Sequence, residues 1–217
     1  NIGGLMTSGP EDAIYDSFLE KTITTPSHSK ARAFGYSLAN SVIDAFNENT
    51  FVPSPDPTIT FSALEVELGI ENFMLSMGTL LGVVDSSPQF HLTPPFIRYL
   101  SEVAFIQLGD ATITGIPGEL YPEIAVGGIE SPKGADFAIE PQEVPPLRGQ
   151  LPGKLNLMVN LANDAIGYII PKSEWDKDAP WIYDEAEETY GEVVSLGPNT
   201  APIIHQTVIK LAEESKP

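Results

Sequence analysis

The sequence predicts an α/β or α+β fold in which mixed β-sheets are layered with helices, and three observations carry that prediction. Val103 to Ile116 reads as a strand hairpin. Thr58 to Leu68 and Lys154 to Leu161 alternate apolar and polar residues with the period of two that strands require. Ser27 to Phe46 and Thr200 to Lys216 repeat their apolar residues every three to four positions, the period of a helix packed on one face. Helices and strands thus alternate irregularly around at least one antiparallel pair, which implies a mixed sheet.

The hairpin is the best-defined of these elements. Val103, Phe105 and Gln107 face one way while Ala104, Ile106 and Leu108 face the other, so the strand is expected to be covered on both sides. Gly109-Asp110 forms a two-residue turn, since glycine supplies a positive φ and aspartate tolerates one. The second arm ends at Pro117-Gly118, where proline donates no ladder hydrogen bond and glycine lets the chain turn sharply. Glu119 follows at once, a lone carboxylate at the end of a buried strand. It reads either as a solvated turn residue or as a side chain held over a cleft.

Taken in order, the chain opens on Asn1 to Pro10, a stretch with three glycines that cannot make a good helix. Glu11 to Glu20 predicts a short helix with Ile14, Phe18 and Leu19 inward. Ser27 or Ser29 caps the next helix, whose stripe is Phe34, Leu38, Val42 and Phe46. Phe51 to Pro57, with three prolines, reads as a connector. Ile59, Phe61, Leu64, Val66 and Leu68 make a strand with one wet face, the slip near Ala63 suggesting a bulge. Asn72 to Val84 fits either state. Its Met74 and Met77 are expected as core filling, or else as the lining of an apolar pocket. Pro88 to Pro95 is a loop, and Gly127 to Gly153, with five prolines, a long surface excursion. Leu155, Leu157, Val159 and Leu161 share one face of a later strand. The last helix takes Thr200 as cap, Pro202 in its first turn and Ile204, Val208 and Leu211 as its inner stripe. We expect one domain over residues 1–217.

Composition narrows the function. Thirty acidic against eleven basic residues leave a net charge of −19, which argues against contact with nucleic-acid phosphates. No cysteine is present, so disulfides, thiolate metal sites and cysteine nucleophiles are excluded. No apolar run approaches the about 20 residues that span a bilayer, so an integral membrane protein is not expected. The three histidines, His28, His91 and His205, lack the spacing of a metal motif and read as surface or helix-face residues. Gly-x-Ser-x-Gly, His-Glu-x-x-His and Gly-x-Gly-x-x-Gly are all missing.

Two segments carry a family resemblance. Ile116-Pro117-Gly118-Glu119 after a strand hairpin is followed by Asn163-Asp164-Ala165-Ile166-Gly167-Tyr168-Ile169 and an acidic, aromatic stretch from Tyr183 to Gly191. In that order they resemble the downstream half of the neutral/alkaline ceramidase catalytic domain. The resemblance implies that the chain is the C-terminal portion of a larger catalytic domain. It further implies that Glu119 and Tyr168 are ligands of one zinc ion, with two histidines supplied by an upstream segment or a second chain. Asn1-Ile2-Gly3-Gly4-Leu5-Met6-Thr7 lies on the family's nucleophile loop, with Met6 where the family has serine, so Thr7 is the nearest candidate nucleophile. The alternatives are water activated at the metal, or loss of activity. Ala165 stands where relatives carry another tyrosine, and Ala125-Val126-Gly127-Gly128 replace a basic pair that relatives place after the carboxylate.

What the resemblance implies is a zinc-dependent amidohydrolase that cleaves the N-acyl amide of ceramide or a related lipid. Zinc would polarise the amide carbonyl, and Tyr168 could instead donate to the developing oxyanion. Such a protein is expected to be secreted, periplasmic or at the cell surface, touching membranes without crossing them. The alternative is a non-catalytic secreted binding or structural protein on the same scaffold.

Overall fold

The computed structural model describes residues 13–48, 58–84, 88–186 and 189–215. They fall into two compact units, one within Leu5–Pro55 and one within Asp56–Pro217. The stretch 51–57, read above as a connector and not as a domain boundary, lies outside the described residues. The architecture is α/β, with helices set against mixed sheets.

In the smaller unit, β1 (Ile14–Asp16) and β2 (Lys21–Ile23) form an antiparallel hairpin where a short helix was expected. The cause is Asp16. Its carboxylate is buried and accepts from the backbone N–H groups of Phe18 and Leu19 at 2.8 and 3.1 Å, closing a turn that a helix could not accommodate. Arg32 reaches the same carboxylate at 2.7 Å from α1 (His28–Asn47) and ties the hairpin to the helix. Ser27 caps α1 as expected, its Oγ accepting from Lys30 N at 3.2 Å. The predicted apolar stripe is not buried: along α1 only Lys30 and Ala33 are buried, while Leu38 and Phe46 are 70% and 67% exposed.

The larger unit is built on a five-stranded sheet. β3 (Ile59–Gly69) pairs antiparallel with β5 (Ile97–Leu108) over its whole length, without the bulge expected near Ala63. In that unbroken register Ile59 and Phe61 lie on the face opposite Leu64, Val66 and Leu68. Between the two strands in sequence come α2 (Phe73–Leu80) and the short β4 (Pro88–Phe90), which pairs with β5. β6 (Ala111–Gly115) completes the predicted hairpin with Leu108 opposite Ala111, and Gly109 takes the positive φ of 54°. Beyond Pro117-Gly118 the chain makes β7 (Glu119–Leu120) and α3 (Pro122–Val126). β8 (Leu155–Val159) returns parallel to β6 at the sheet edge. β9 (Tyr168–Ile169), α4 (Tyr190–Val193) and α5 (Thr200–Glu214) follow.

One face of this sheet is the core. α5 lies over β3 and β5 with Ile204, Val208 and Leu211 buried as expected, against Val66, Leu68, Val103, Phe105 and Met158. Thr200 is the first residue of the helix, and Asn199 rather than Thr200 occupies the cap position. The segment 127–153 is not a surface excursion along its length. Leu147 and Leu151 belong to the core, and the Glu143 side chain is fully buried, accepting from Lys172 N at 3.1 Å. His205, read above as a surface or helix-face residue, lies on the buried face of α5 and donates Nε2–H to the Pro145 carbonyl at 2.9 Å.

The other sheet face reads in rows across four strands: Ile59, Leu108, Ala111, Leu155, then Phe61, Ile106, Ile113, Leu157. Most of these side chains are exposed or half exposed, and Phe61 is 66% exposed. The expectation that β5 is covered on both sides therefore holds for one face only. The same rows explain β8, whose Leu155, Leu157 and Val159 alternate as predicted but face outward. Met74 and Met77 are likewise exposed on α2 and belong to neither the core nor a cavity wall described below.

Candidate functional site

Glu119 and Tyr168, separated by almost fifty residues in sequence, are direct partners in the parallel pairing of β7 with β9. Side chains of paired residues in parallel strands emerge on the same face. Leu120 and Ile169, the next pair, point the opposite way and are fully buried in the core. The small sheet is thus anchored by its apolar pair and presents the carboxylate and the phenol together.

The local sequence makes this pairing close. Glu119 N donates to Gly167 O at 2.9 Å, Tyr121 N to Ile169 O at 3.1 Å and Ile166 N to Pro117 O at 3.0 Å. Gly118 and Gly167 are the residues that permit the approach. A Cβ on Gly118 would lie 2.5 Å from Gly167 O, and one on Gly167, at φ +88°, would lie 1.9 Å from Val194 O. The Tyr168 carbonyl in turn accepts from the buried Ser195 hydroxyl, and Gly167 bridges to Ser195.

Two further tyrosines frame Tyr168. Tyr121, two residues beyond Glu119 and so on its face, meets the Tyr168 ring edge-on at 6.2 Å, and Tyr190 of α4 meets it at 5.9 Å. The surroundings are acidic. Burial pushes the Tyr121 phenol up, and Glu192, Tyr168, Glu123 and Glu174 add to the shift. Burial also raises Glu192, although Thr189 and the Asp176 backbone N–H both donate to its carboxylate. Glu174 is pushed up to about 7, chiefly by burial, even though Glu130 N donates to it at 2.6 Å. Tyr183 donates to Glu130 at 2.5 Å, and that hydrogen bond raises its phenol to about 12. Three carboxylates, Glu192, Glu123 and Glu174, thus act on Tyr121.

Period-two alternation would have placed Tyr121 beside Glu119, and Tyr190 lies in the acidic, aromatic stretch that carries the resemblance, but nothing in the sequence sets Tyr190, Glu192 or Glu174 near Tyr168 and Tyr121, where they arrive by tertiary packing. Thr7 lies outside the described residues.

A zinc site takes four ligands in tetrahedral geometry, and the register sets a carboxylate residue, Glu119, opposite a phenol residue, Tyr168, two of the side-chain types such a site could use. Among the described residues no three His, Cys, Asp or Glu side chains group closely enough to hold a metal ion. Two histidines of the larger unit are engaged elsewhere, His91 with Glu67 at 2.7 Å and His205 with the Pro145 carbonyl, and His28 begins α1 in the smaller unit.

Comparison with solved structures returns the neutral ceramidase from Pseudomonas aeruginosa. The TM-score is 0.37 and the sequence identity 11%, over 71% of this chain and 29% of that one. The chain spans under a third of that protein's length. No family model and no curated protein matches the sequence. No helix among the described residues is long and apolar enough to cross a membrane.

Proposed function

We propose that this chain forms part of a zinc-dependent amidohydrolase resembling neutral ceramidase, acting on the N-acyl amide of ceramide or a related lipid. The observation that supports this reading is the register of β7 with β9, which seats Glu119 beside Tyr168. These two are the residues that the Pro-Gly-Glu and Asn-Asp-Ala-Ile-Gly-Tyr motifs single out. In the proposal they hold one side of the zinc ion, and histidines from an upstream segment or a second chain hold the other.

When bound, zinc supplies Lewis-acid polarisation of the amide carbonyl and lowers the pKa of water or a hydroxyl beside it. The chain's own part is electrostatic and positional. Glu119 offers a carboxylate at a fixed strand position, and the acidic field around Tyr121 lowers the cost of gathering positive charge there. Tyr168, braced edge-on by two rings, directs its hydroxyl with little freedom, toward the ion or toward the oxygen that gains charge as the amide is attacked. Thr7 is the proposed nucleophile, with activated water as its substitute. Such an enzyme would work after export, at a membrane surface that presents the lipid.

The test is zinc content of the full-length protein together with fatty-acid release from a short-chain ceramide. Glu119→Ala and Tyr168→Phe should each lower release at least about 100-fold, because even outer-shell partners of a metal ligand cost 10- to 100-fold. Tyr168→Phe keeps both ring contacts, so its circular dichroism should match the parent. Undiminished release in both variants would remove the pair from the mechanism. The absence of a third ligand among the described residues favours a second reading, a non-catalytic binding protein on this scaffold. That reading predicts no stoichiometric zinc and no release from the parent itself.

A further inference from the structure

A cavity of ≈ 410 Å³ opens between α2, the start of β5 and the segment leading into β9. Its size lies within the range of small-molecule sites, about 300–1,000 Å³. Ile70, Leu75, Val84, Ile166, Val194 and Leu196 supply most of the wall, with the Tyr99 ring. Tyr168 and Glu119 do not line it.

Two polar side chains interrupt this wall. Thr79 is buried on α2 and its hydroxyl has no hydrogen-bond partner. Asp164 is held in place by three donors: Tyr99 Oη at 2.8 Å, Ser101 Oγ at 2.9 Å and Ala165 N at 2.9 Å. An ionised carboxylate has about four acceptor sites, so one is left for an occupant. Among the described residues no lysine, arginine or histidine lines the cavity. An anionic head group would meet Asp164 and find no counter-charge, in a chain whose net charge is already −19. A cationic head group would find a fixed carboxylate at the edge of an apolar chamber.

We propose that this cavity binds an aliphatic primary amine, its ammonium on the Asp164 carboxylate and its alkyl chain between α2 and the Ile166–Val194–Leu196 wall. The orientation follows from the lining, since among the described residues Asp164 is its one carboxylate and, apart from Thr79, the side chains facing it are apolar or aromatic. The three donors fix the rotamer of Asp164 before the ligand arrives, so little ordering cost falls on binding. This site is independent of the hydrolase reading, because neither the zinc pair nor any reaction enters the argument.

The experiment is calorimetric titration with decylamine, decanol and decanoate, each below its micelle concentration and at physiological ionic strength. Decylamine should bind with one-to-one stoichiometry and at least about tenfold more tightly than decanoate, the range expected for a charged hydrogen bond. Asp164→Asn should bring decylamine down to the affinity of decanol and leave decanol unchanged. Ala165→Trp, at an exposed position on the cavity mouth, should weaken both. Equal affinity for amine and acid would overturn the proposal. So would amine binding that survives Ala165→Trp, since that would be adsorption to the general negative surface. If Asp164→Asn does not fold, the amine-to-acid ratio and the Ala165→Trp variant still decide between these outcomes.

Discussion

Gly167 shows at the residue scale what the candidate site requires. Its carbonyl receives Glu119 N, its φ is +88°, and its Cα lies against the Val194 carbonyl with no room for a methyl group. Gly167→Ala should therefore destabilise the larger unit by about 3 kcal/mol, combining a disfavoured φ with a backbone clash, and denaturant titration would measure it. A change within the error of the titration would show that the β7–β9 pairing gives way easily. Glu119 was legible because Pro117-Gly118 marks a strand end in any sequence. Tyr168 was legible only through its motif, since a tyrosine in an apolar run carries no local sign of its partner. The raised pKa values of Glu174, Glu192 and Tyr121 could not be read at all. They come from burial among groups brought together from segments 121–130, 174–176 and 189–192.

At the scale of elements, periodicity located most helices and strands but did not tell inside from outside. Leu155, Leu157 and Val159 alternate as a core-facing strand does, yet the buried position of β8 is Met158. Alternation fixes that two faces differ, and only the neighbouring layer decides which face is covered. The stripe of α1 shows the same ambiguity for a helix. The stretch 72–84, readable either way by composition, is settled by Asn72. Its Oδ1 caps α2 by accepting from Met74 N and Leu75 N at 3.0 and 3.2 Å, while its Nδ2 donates to Val193 O at 2.9 Å and Ser195 O at 3.1 Å. One side chain thus starts the helix and ties it to the end of α4 and to Ser195, whose hydroxyl donates to the Tyr168 carbonyl. Asn72→Ala should cost about 2 kcal/mol, the sum of a lost cap and unsatisfied buried carbonyls. Asn72→Asp, which keeps the cap but loses both Nδ2 donations, should also destabilise. Comparing the two by thermal denaturation separates cap from tether, and a neutral Asp variant would mean the tether contributes nothing.

For the molecule as a whole, charge governs behaviour in two ways. The first is pH dependence. Glu174 holds its proton up to about 7 when folded, while the unfolded chain releases it near the ordinary 4.5. Between those values the folded state binds the extra proton, so stability falls as pH rises through the window. Buried Glu192 and Asp176, both raised by burial, act in the same direction. Asp16 and Glu67, held below their ordinary values by Arg32 and Arg98, contribute stability that is lost only in stronger acid. Glu174→Gln, which can still accept from Glu130 N, should raise the melting temperature at pH 8 and change it little near pH 4.5. An equal gain at both values would assign the effect to packing.

The second is association. The apolar rows of the five-stranded sheet form a contiguous exposed face of a kind that soluble monomers rarely carry. A charge of −19 opposes the approach of two copies at low salt, and added salt removes that opposition, the Debye length falling to about 3 Å at 1 M. Salt leaves apolar attraction in place. Sedimentation velocity should accordingly find the chain monomeric at low ionic strength and increasingly associated as salt is added, the reverse of an assembly held by ion pairs. Phe61→Thr with Leu157→Thr removes the two outer members of one row while placing β-branched strand formers at both positions. That double variant should stay monomeric across the salt series, and association undiminished by it would place the sticky surface elsewhere on the molecule.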